Sequence, residues 1–504
     1  MSKPEYELKE RCGVEEEEAV DLKTELVGVP HSLQEMSEDE LKSFERKLKR
    51  KIDLRILPMT LFMYILNYLD RNNIATARLG DLEKDLGLTS TQYQTCVSIL
   101  FVGYILMQIP SNMLLNKIGR PALYLTVCMF VWAIISTCTA ATFSFGGLLA
   151  TRFFLGIVET AFFPGCLYVF SSWYTKEEIA FRTCVMYSGS LLSGAFGGLL
   201  GAGIIDNMNG AGGLASWRWL FLIEGLATIV TVPFAYFILP DLPANTKWLN
   251  EQERDMALWR LRREVGKDDW TSTEEQSTMV GFKMAMKDVK IWIGGVGLMF
   301  YVAAGSGVTN FFPSVVASLN YGTTETLLLT VPPYILCVIT TFINAYHSGT
   351  TSERFYHICG GTLVALAAFI IAAATLNTAA RYFAMMIMLS GVYCAYTILL
   401  TWIPKVIPRP ASKRAVALAF VNALSNSASI WTSYLYPKSS SPRYLIAFAC
   451  NAGFMVLAFI CVLALRQKVV SLNKKLDDGR LDFEKEFGAS EQNAAAYRTF
   501  RYPY

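Results

Sequence analysis

The sequence predicts an all-α polytopic membrane protein, with twelve transmembrane helices arranged as two six-helix bundles. Three observations lead there. First, the 504 residues are 53% hydrophobic and only 17% charged, with a mean hydropathy of +0.34. A soluble chain of that length needs far more charge to cover its surface. Second, charge is segregated: residues 1–55, 241–290 and 466–504 hold 59 of the 87 Asp, Glu, Lys and Arg side chains, and the other 360 residues hold 28. Third, the apolar stretches have the right length, since a helix needs ~20 apolar residues to cross ~30 Å of hydrocarbon.

Taken in order, the expected spans are 55–75, 91–114, 122–142, 145–171, 183–205 and 217–239, then 290–315, 326–347, 358–377, 381–404, 415–436 and 443–465. The layout is six helices, a charged loop, and six more. It divides the chain into an N-terminal tail (1–50), a first bundle (51–240), a linker loop (241–289), a second bundle (290–466) and a C-terminal tail (467–504). Such a duplication places a substrate site between the bundles at mid-membrane.

Short-loop Lys and Arg residues collect on one side, at Lys47 to Arg55, Lys117, Arg120, Lys176, Arg182, Lys405, Arg409, Lys413 and Arg414. The positive-inside bias makes that side cytoplasmic, with both termini and the linker. The plasma membrane is the expected location. Residues 1–50 are polar and acidic without an apolar core, so no cleavable leader is expected. The run Glu15–Glu18 reads as solvated charge, and the basic cluster at 46–51 as facing anionic headgroups.

Composition excludes several functions. A net charge of +3 without a clustered basic excess argues against a nucleic-acid partner. Eleven cysteines, mostly inside apolar runs, read as packing residues rather than a disulfide framework. Three histidines (His31, His347, His357) and no CxxC pair argue against metal or haem ligation. No Ser-His-Asp set or glycine-rich phosphate loop accompanies the buried charges, so no enzyme activity and no cofactor are expected.

Ionisable residues inside a span cost at least a few kcal/mol and so invite a functional reading. Five stand out, all in the first half: Asp70 and Arg71 in span one, Arg152 and Glu159 in span four, and Glu224 in span six. The second half offers only amides in comparison, namely Asn310, Asn344, Asn422 and Asn426. A site charged on one wall and hydrogen-bonding on the other follows. Arg152 and Glu159, seven apart, share a helix face roughly 10 Å from each other. One reading is structural, with ion pairs Asp70–Arg152 or Arg71–Glu159 holding spans one and four together. The other is functional: arginines as fixed cations for an anion, and Asp70 and Glu159 as groups that take and release a proton. Glu224 reads as structural, paired to Arg218 within a belt of Trp217 and Trp219. Small residues at four-residue spacing in span five (Gly194, Gly197, Gly198, Gly201) suit close helix packing, and Pro332-Pro333 suits a kink.

These strings resemble a known family. They are Asn67-Tyr68-Leu69-Asp70-Arg71-Asn72-Asn73, Gln108-Ile109-Pro110-Ser111-Asn112, Arg152-Phe153-Phe154-Leu155-Gly156 with Glu159, and Trp217-Arg218-Trp219-Leu220-Phe221 with Glu224-Gly225. Together they look like the major facilitator superfamily, within it the anion:cation symporter family, on the fungal branch of allantoate and nicotinate permeases. The resemblance covers about residues 50–466. It implies the major facilitator fold and alternating-access transport of a small organic anion, commonly driven by a proton gradient. It implies substrate contacts from Arg71 and Arg152, proton coupling at Glu159 with Asp70 as a second site, and a span-eleven asparagine whose nearest match is Asn426. With Asn310 from span seven, these make the expected substrate-binding set. The expected partners are the carried carboxylate and the lipid bilayer, with the protein monomeric. Export of an acidic metabolite, or ligand sensing without transport, are the competing readings. The loop after span two departs from the superfamily pattern, with Asn112, Asn116 and Lys117 in place of Gly, Asp and Arg.

Overall fold

The computed structural model of the protein describes residues 29–246, 248–268, 278–351, 353–407, 411–480 and 501–502. The acidic run Glu15–Glu18 lies outside them. The described residues form helices and connecting turns. In the first half they are α1 (Glu38–Leu79), α2 (Ser90–Ile118), α3 (Pro121–Thr139), α4 (Phe145–Glu159), α5 (Phe162–Trp173), α6 (Lys176–Ile204) and α7 (Ser216–Ile238). The linker contributes α8 (Glu251–Asp268) and a shorter helix over Thr278–Lys287. The second half holds α9 (Val289–Ala317), α10 (Thr323–Thr351), α11 (Phe355–Ala374), α12 (Thr378–Trp402), α13 (Ala411–Thr432) and α14 (Leu445–Asp477).

Among the described residues, eleven segments are long and apolar enough to cross a membrane, with α4 and α5 together making one. The expected span 415–436 corresponds to α13, which is not among the eleven. Its Asn422, Ser425, Asn426, Ser427 and Ser429 lower its hydropathy, because this helix lines the interior rather than facing lipid. Two further expectations are refined. The fourth span is broken at Thr160–Ala161, one residue after Glu159, and α10 runs continuously through Pro332-Pro333.

Side chains on the outward faces are apolar. Leu226, Val230 and Phe234 of α7 recur every four residues and are 51–63% exposed, as a lipid-facing stripe requires. On the inward faces, missing Cβ atoms let helices approach. A Cβ on Gly156 would lie 2.0 Å from the Leu100 carbonyl oxygen, and one on Gly103 would lie 2.5 Å from that of Phe153. Those two glycines seat α4 against α2 and so set the depth of Arg152 and Glu159. Gly225 does the same for α7 against Thr137 of α3, at 2.2 Å, and thereby places Glu224.

The two halves meet at the end of the molecule opposite the Lys/Arg-rich loops. Asp206 accepts from the Thr324 backbone N–H at 3.2 Å, Ser98 donates to the Ile430 carbonyl at 2.8 Å, and Thr95 meets Tyr434 at 3.1 Å. Lys438 reaches Glu83 at 3.4 Å, and Glu83 in turn pairs with Arg78 at 2.9 Å. The span-five glycines belong to this seam: a Cβ on Gly194 would meet the Tyr334 ring, and one on Gly198 would meet Thr330 and the Leu327 carbonyl. One apolar core cluster runs across the seam, joining Ile74, Tyr93 and Leu191 to Phe311 and Tyr334. The two halves are therefore packed directly against each other at the far end.

At the basic end, α8 is clasped to the first half. Arg260, 2% exposed, bridges Glu45 and Glu178, and Lys51 pairs with Glu253 at 2.7 Å. Lys49 also pairs with Glu178, so part of the 46–51 cluster is committed to protein carboxylates rather than to headgroups. Burial alone would raise the Glu178 carboxyl, but Arg260, the Thr175 backbone and Lys49 outweigh it and hold it below its usual range.

Candidate functional site

Between the halves lies a cavity of about 110 Å³. The first half contributes Arg71 and Asn72 from α1 with Tyr64, Tyr68, Tyr104 and Tyr187. The second contributes Asn310, Ser306 and Thr309 from α9, Tyr393 and Tyr396 from α12, and Asn422, Asn426 and Ser429 from α13. A larger groove of about 440 Å³, lined by Lys51, Leu54, Arg55 and Trp248, sits on the outer surface of α1 at the basic end. None of the span charges lines it, so the central cavity is the candidate site.

Arg71 is 8% exposed and is the cation of the cavity wall. Its Nε donates to Glu159 Oε2 at 2.8 Å, and its guanidinium lies 4.7 Å from the Tyr68 ring and 5.1 Å from the Tyr104 ring. Glu159 Oε1 has no hydrogen-bond partner among the described residues. Of the two ion pairs the sequence left open, Arg71–Glu159 forms. Asp70–Arg152 does not: Asp70 accepts from Ser136 at 2.5 Å, and Arg152 donates to the backbone carbonyls of Asp70 and Arg71, at 3.4 and 2.8 Å. Arg152 is 2% exposed and is not among the cavity-lining residues, so it braces the α1 backbone at the point where Arg71 enters the cavity.

Asn310 and Asn426 both line the cavity, as does Asn422. Asn426 Nδ2 donates to the Asn422 carbonyl and to its side-chain oxygen, each at 2.9 Å. Asn310 Nδ2 is buried without a hydrogen-bond partner among the described residues. Asn344 instead donates to the Cys394 carbonyl, away from the cavity.

Glu224 differs most from expectation. Arg218 pairs with Asp85 at 3.0 Å and donates to the carbonyls of Ala140 and Thr142. Trp217 is fully buried and donates to Asp85, so it is no interfacial belt residue. The loop acid Asp85, invisible as a partner in the sequence, captures the arginine because the turn after α1 folds over the start of α7. The second half also holds buried cations that the sequence reading passed over. Arg381, 2% exposed, donates to the Pro442 carbonyl, and Lys413 pairs with Asp288. Neither is among the residues that line the cavity.

The cavity tyrosines were also missed, because tyrosine in an apolar span carries no charge to betray it. Tyr64, Tyr68, Tyr104, Tyr187, Tyr393 and Tyr396 give the site aromatic faces around one cation, and Tyr187 meets Tyr396 across the halves at 5.8 Å.

Two helical bundles enclosing a polar cavity at mid-span define a membrane transporter. Residues 60–433 match the Major Facilitator Superfamily model, and the chain belongs to that superfamily. It is 32% identical over 447 residues to the MFS transporter prlL of a fungal species (strain NRRL 50135), covering 85% of this chain and 88% of that one. It is 30% identical over 420 residues to the MFS-type transporter efuF of Hormonema carpetanum, covering 82% and 83%. Its fold is similar to that of the D-xylose-proton symporter, with a TM-score of 0.63 at 15% identity, over 82% of this chain and 97% of that structure.

Proposed function

We propose that the protein moves a small organic carboxylate by alternating access, in symport with protons. It belongs in that reading to the anion:cation symporter branch, works as a monomer in the plasma membrane, and has its termini and basic loops in the cytoplasm. The far-end seam is then the closed outer gate, and the cavity is reached from inside.

The observation that carries the reading is the Arg71–Glu159 pair at the cavity wall. Arginine stays charged and offers a planar fork suited to a carboxylate. Its present partner is a carboxylate, so an arriving anion competes with Glu159 for the same guanidinium. Once displaced, Glu159 is a buried charge without a cation, which is costly unless it takes up a proton. Anion binding and proton uptake are thereby linked, each favouring the other. Asp70 serves as a second proton site, and Arg152 holds the backbone between the two. Across the cavity, Asn310 and Asn426 hydrogen-bond the rest of the ligand, and aromatic faces favour a planar one. The pH gradient supplies the driving force, and no cofactor takes part.

The experiment is a thermal-unfolding screen of the purified protein against small carboxylates, followed by uptake of the hits into proteoliposomes. A bound ligand raises apparent stability by mass action. Acceleration of uptake by an inside-alkaline gradient is expected; uptake of neutral sugars but of no acid would overturn the reading.

A further inference from the structure

Arg71 faces the cavity, and Asp70, one residue earlier, faces the packing of α1 against α3 and α7. Ser136 of α3 donates to Asp70 Oδ1 at 2.5 Å, and Thr228 of α7 lies 3.3 Å from Oδ2. Thr228 also lies 3.0 Å from the Glu224 carbonyl, one turn back. One hydroxyl proton cannot satisfy both acceptors fully.

Glu224 sits on the same face of α7, 2% exposed, with Asp70 and Asn73 of α1 across from it. The Asn73 amide is the donor nearest to Glu224, yet among the described residues neither Glu224 oxygen nor Asn73 Nδ2 makes a well-formed hydrogen bond. The arginine expected for Glu224 is committed to Asp85. An ionised carboxylate with no cation and no well-formed hydrogen bond is expensive to bury, whereas a neutral acid is accommodated.

The neighbouring charges can be counted by helix. α1 brings Asp70 and Arg71, α4 brings Arg152 and Glu159, and α7 brings Glu224. α2 adds the neutral Tyr93, Cys96 and Tyr104, and α3 adds only Trp132 and Ser136. Two cations face three carboxyl groups, so a single proton leaves the set neutral. Glu159 is taken by Arg71, and Asp70 accepts from a hydroxyl beside Arg152, whose Nε has no hydrogen-bond partner among the described residues. The remaining acid, Glu224, is the one the packing accepts in neutral form. An anion at Arg71 adds a negative charge, which a second proton on Glu159 or Asp70 offsets.

We propose that Glu224 and Asp70 form a proton site behind the cavity, holding one exchangeable proton when the cavity is empty and coupled through charge to an anion at Arg71. The coupling rests on the reading of the cavity as an anion site; the proton site itself does not.

The test is infrared spectroscopy of the full-length protein in lipid, with no ligand added. The wild type should show the carbonyl stretch of one protonated, weakly hydrogen-bonded carboxyl at neutral pH. It should shift in D2O and titrate away reversibly as pH is raised. Glu224→Gln should lose that band entirely. Asp70→Asn should lose it as well, because Glu224 then supplies the missing negative charge. Should Glu224→Gln not fold, Glu224→Asp should move the band. A wild type without the band, a band intact in Glu224→Gln or unmoved in Glu224→Asp, or one inert to pH and D2O would overturn the proposal. A full band in Asp70→Asn would make Glu224 an isolated acid and overturn the pairing. If the band behaves as expected while no carboxylate binds, the anion reading fails and the proton site stands.

Discussion

The two walls of the cavity are built from different chemistry although the two halves share an architecture. The first half presents a fixed cation, Arg71, backed by three buried carboxyls and a second arginine. The second presents amides and hydroxyls, with its own buried cations Arg381 and Lys413 away from the cavity lining. Charge in a low-dielectric interior is tolerated only where its partners are close, so titratable groups gather in one cluster rather than being shared across the seam between the halves. Amides and hydroxyls carry no such requirement and can line the cavity from the opposite half. The difference teaches how labour would divide under the proposed function: one half would fix the ligand's ionic end and the proton, and the other would read its neutral body.

The strongest way to break that comparison is at Arg71. Arg71→Ala leaves Glu159 buried without its cation, which should cost about 3–5 kcal/mol in stability and abolish uptake. Arg71→Lys should restore stability but leave uptake reduced about 100-fold, because the fork geometry is lost. Wild-type affinity in the lysine variant, measured by saturation of uptake, would rule out a direct carboxylate contact.

Glu159→Gln comes next and separates proton from ligand. Glutamine mimics the protonated acid permanently, so exchange of labelled for unlabelled substrate should persist while accumulation driven by a pH gradient disappears. A variant that still concentrates substrate in response to pH would make Glu159 structural.

On the opposite wall the effects should be smaller. Asn426→Ala removes neutral hydrogen bonds and should weaken ligand affinity about tenfold, with pH dependence unchanged. A shift of the pH profile in that variant would show that the second half takes part in coupling. Lys438→Ala should be the mildest: its pair with Glu83 is solvent-exposed at the lysine end, and such pairs are worth roughly 0–1 kcal/mol. Its measurable effect should be a modest increase in far-side accessibility of an introduced cysteine.

Much of the fold was legible because hydrocarbon imposes length and apolarity on every lipid-facing helix. The one span that evades the hydropathy criterion, α13, does so because it faces the cavity. The charged residues were legible for the same reason: Asp70, Arg71, Arg152 and Glu159 are conspicuous where charge is costly. Their pairing was not. Sequence spacing allowed Asp70–Arg152 and Arg71–Glu159 equally, and only the folded structure selected the second. Glu224 shows the limit most clearly. A local partner stood six residues away in Arg218, yet Asp85, distant in sequence, took it and left Glu224 without a cation among the described residues. The sequence by itself determined which residues must be buried, because transfer into a membrane is a property of each side chain and its neighbours along one helix. Tertiary structure alone decided which buried charges meet and which side chains line the cavity, because those depend on distances of a few ångströms between helices far apart in the chain.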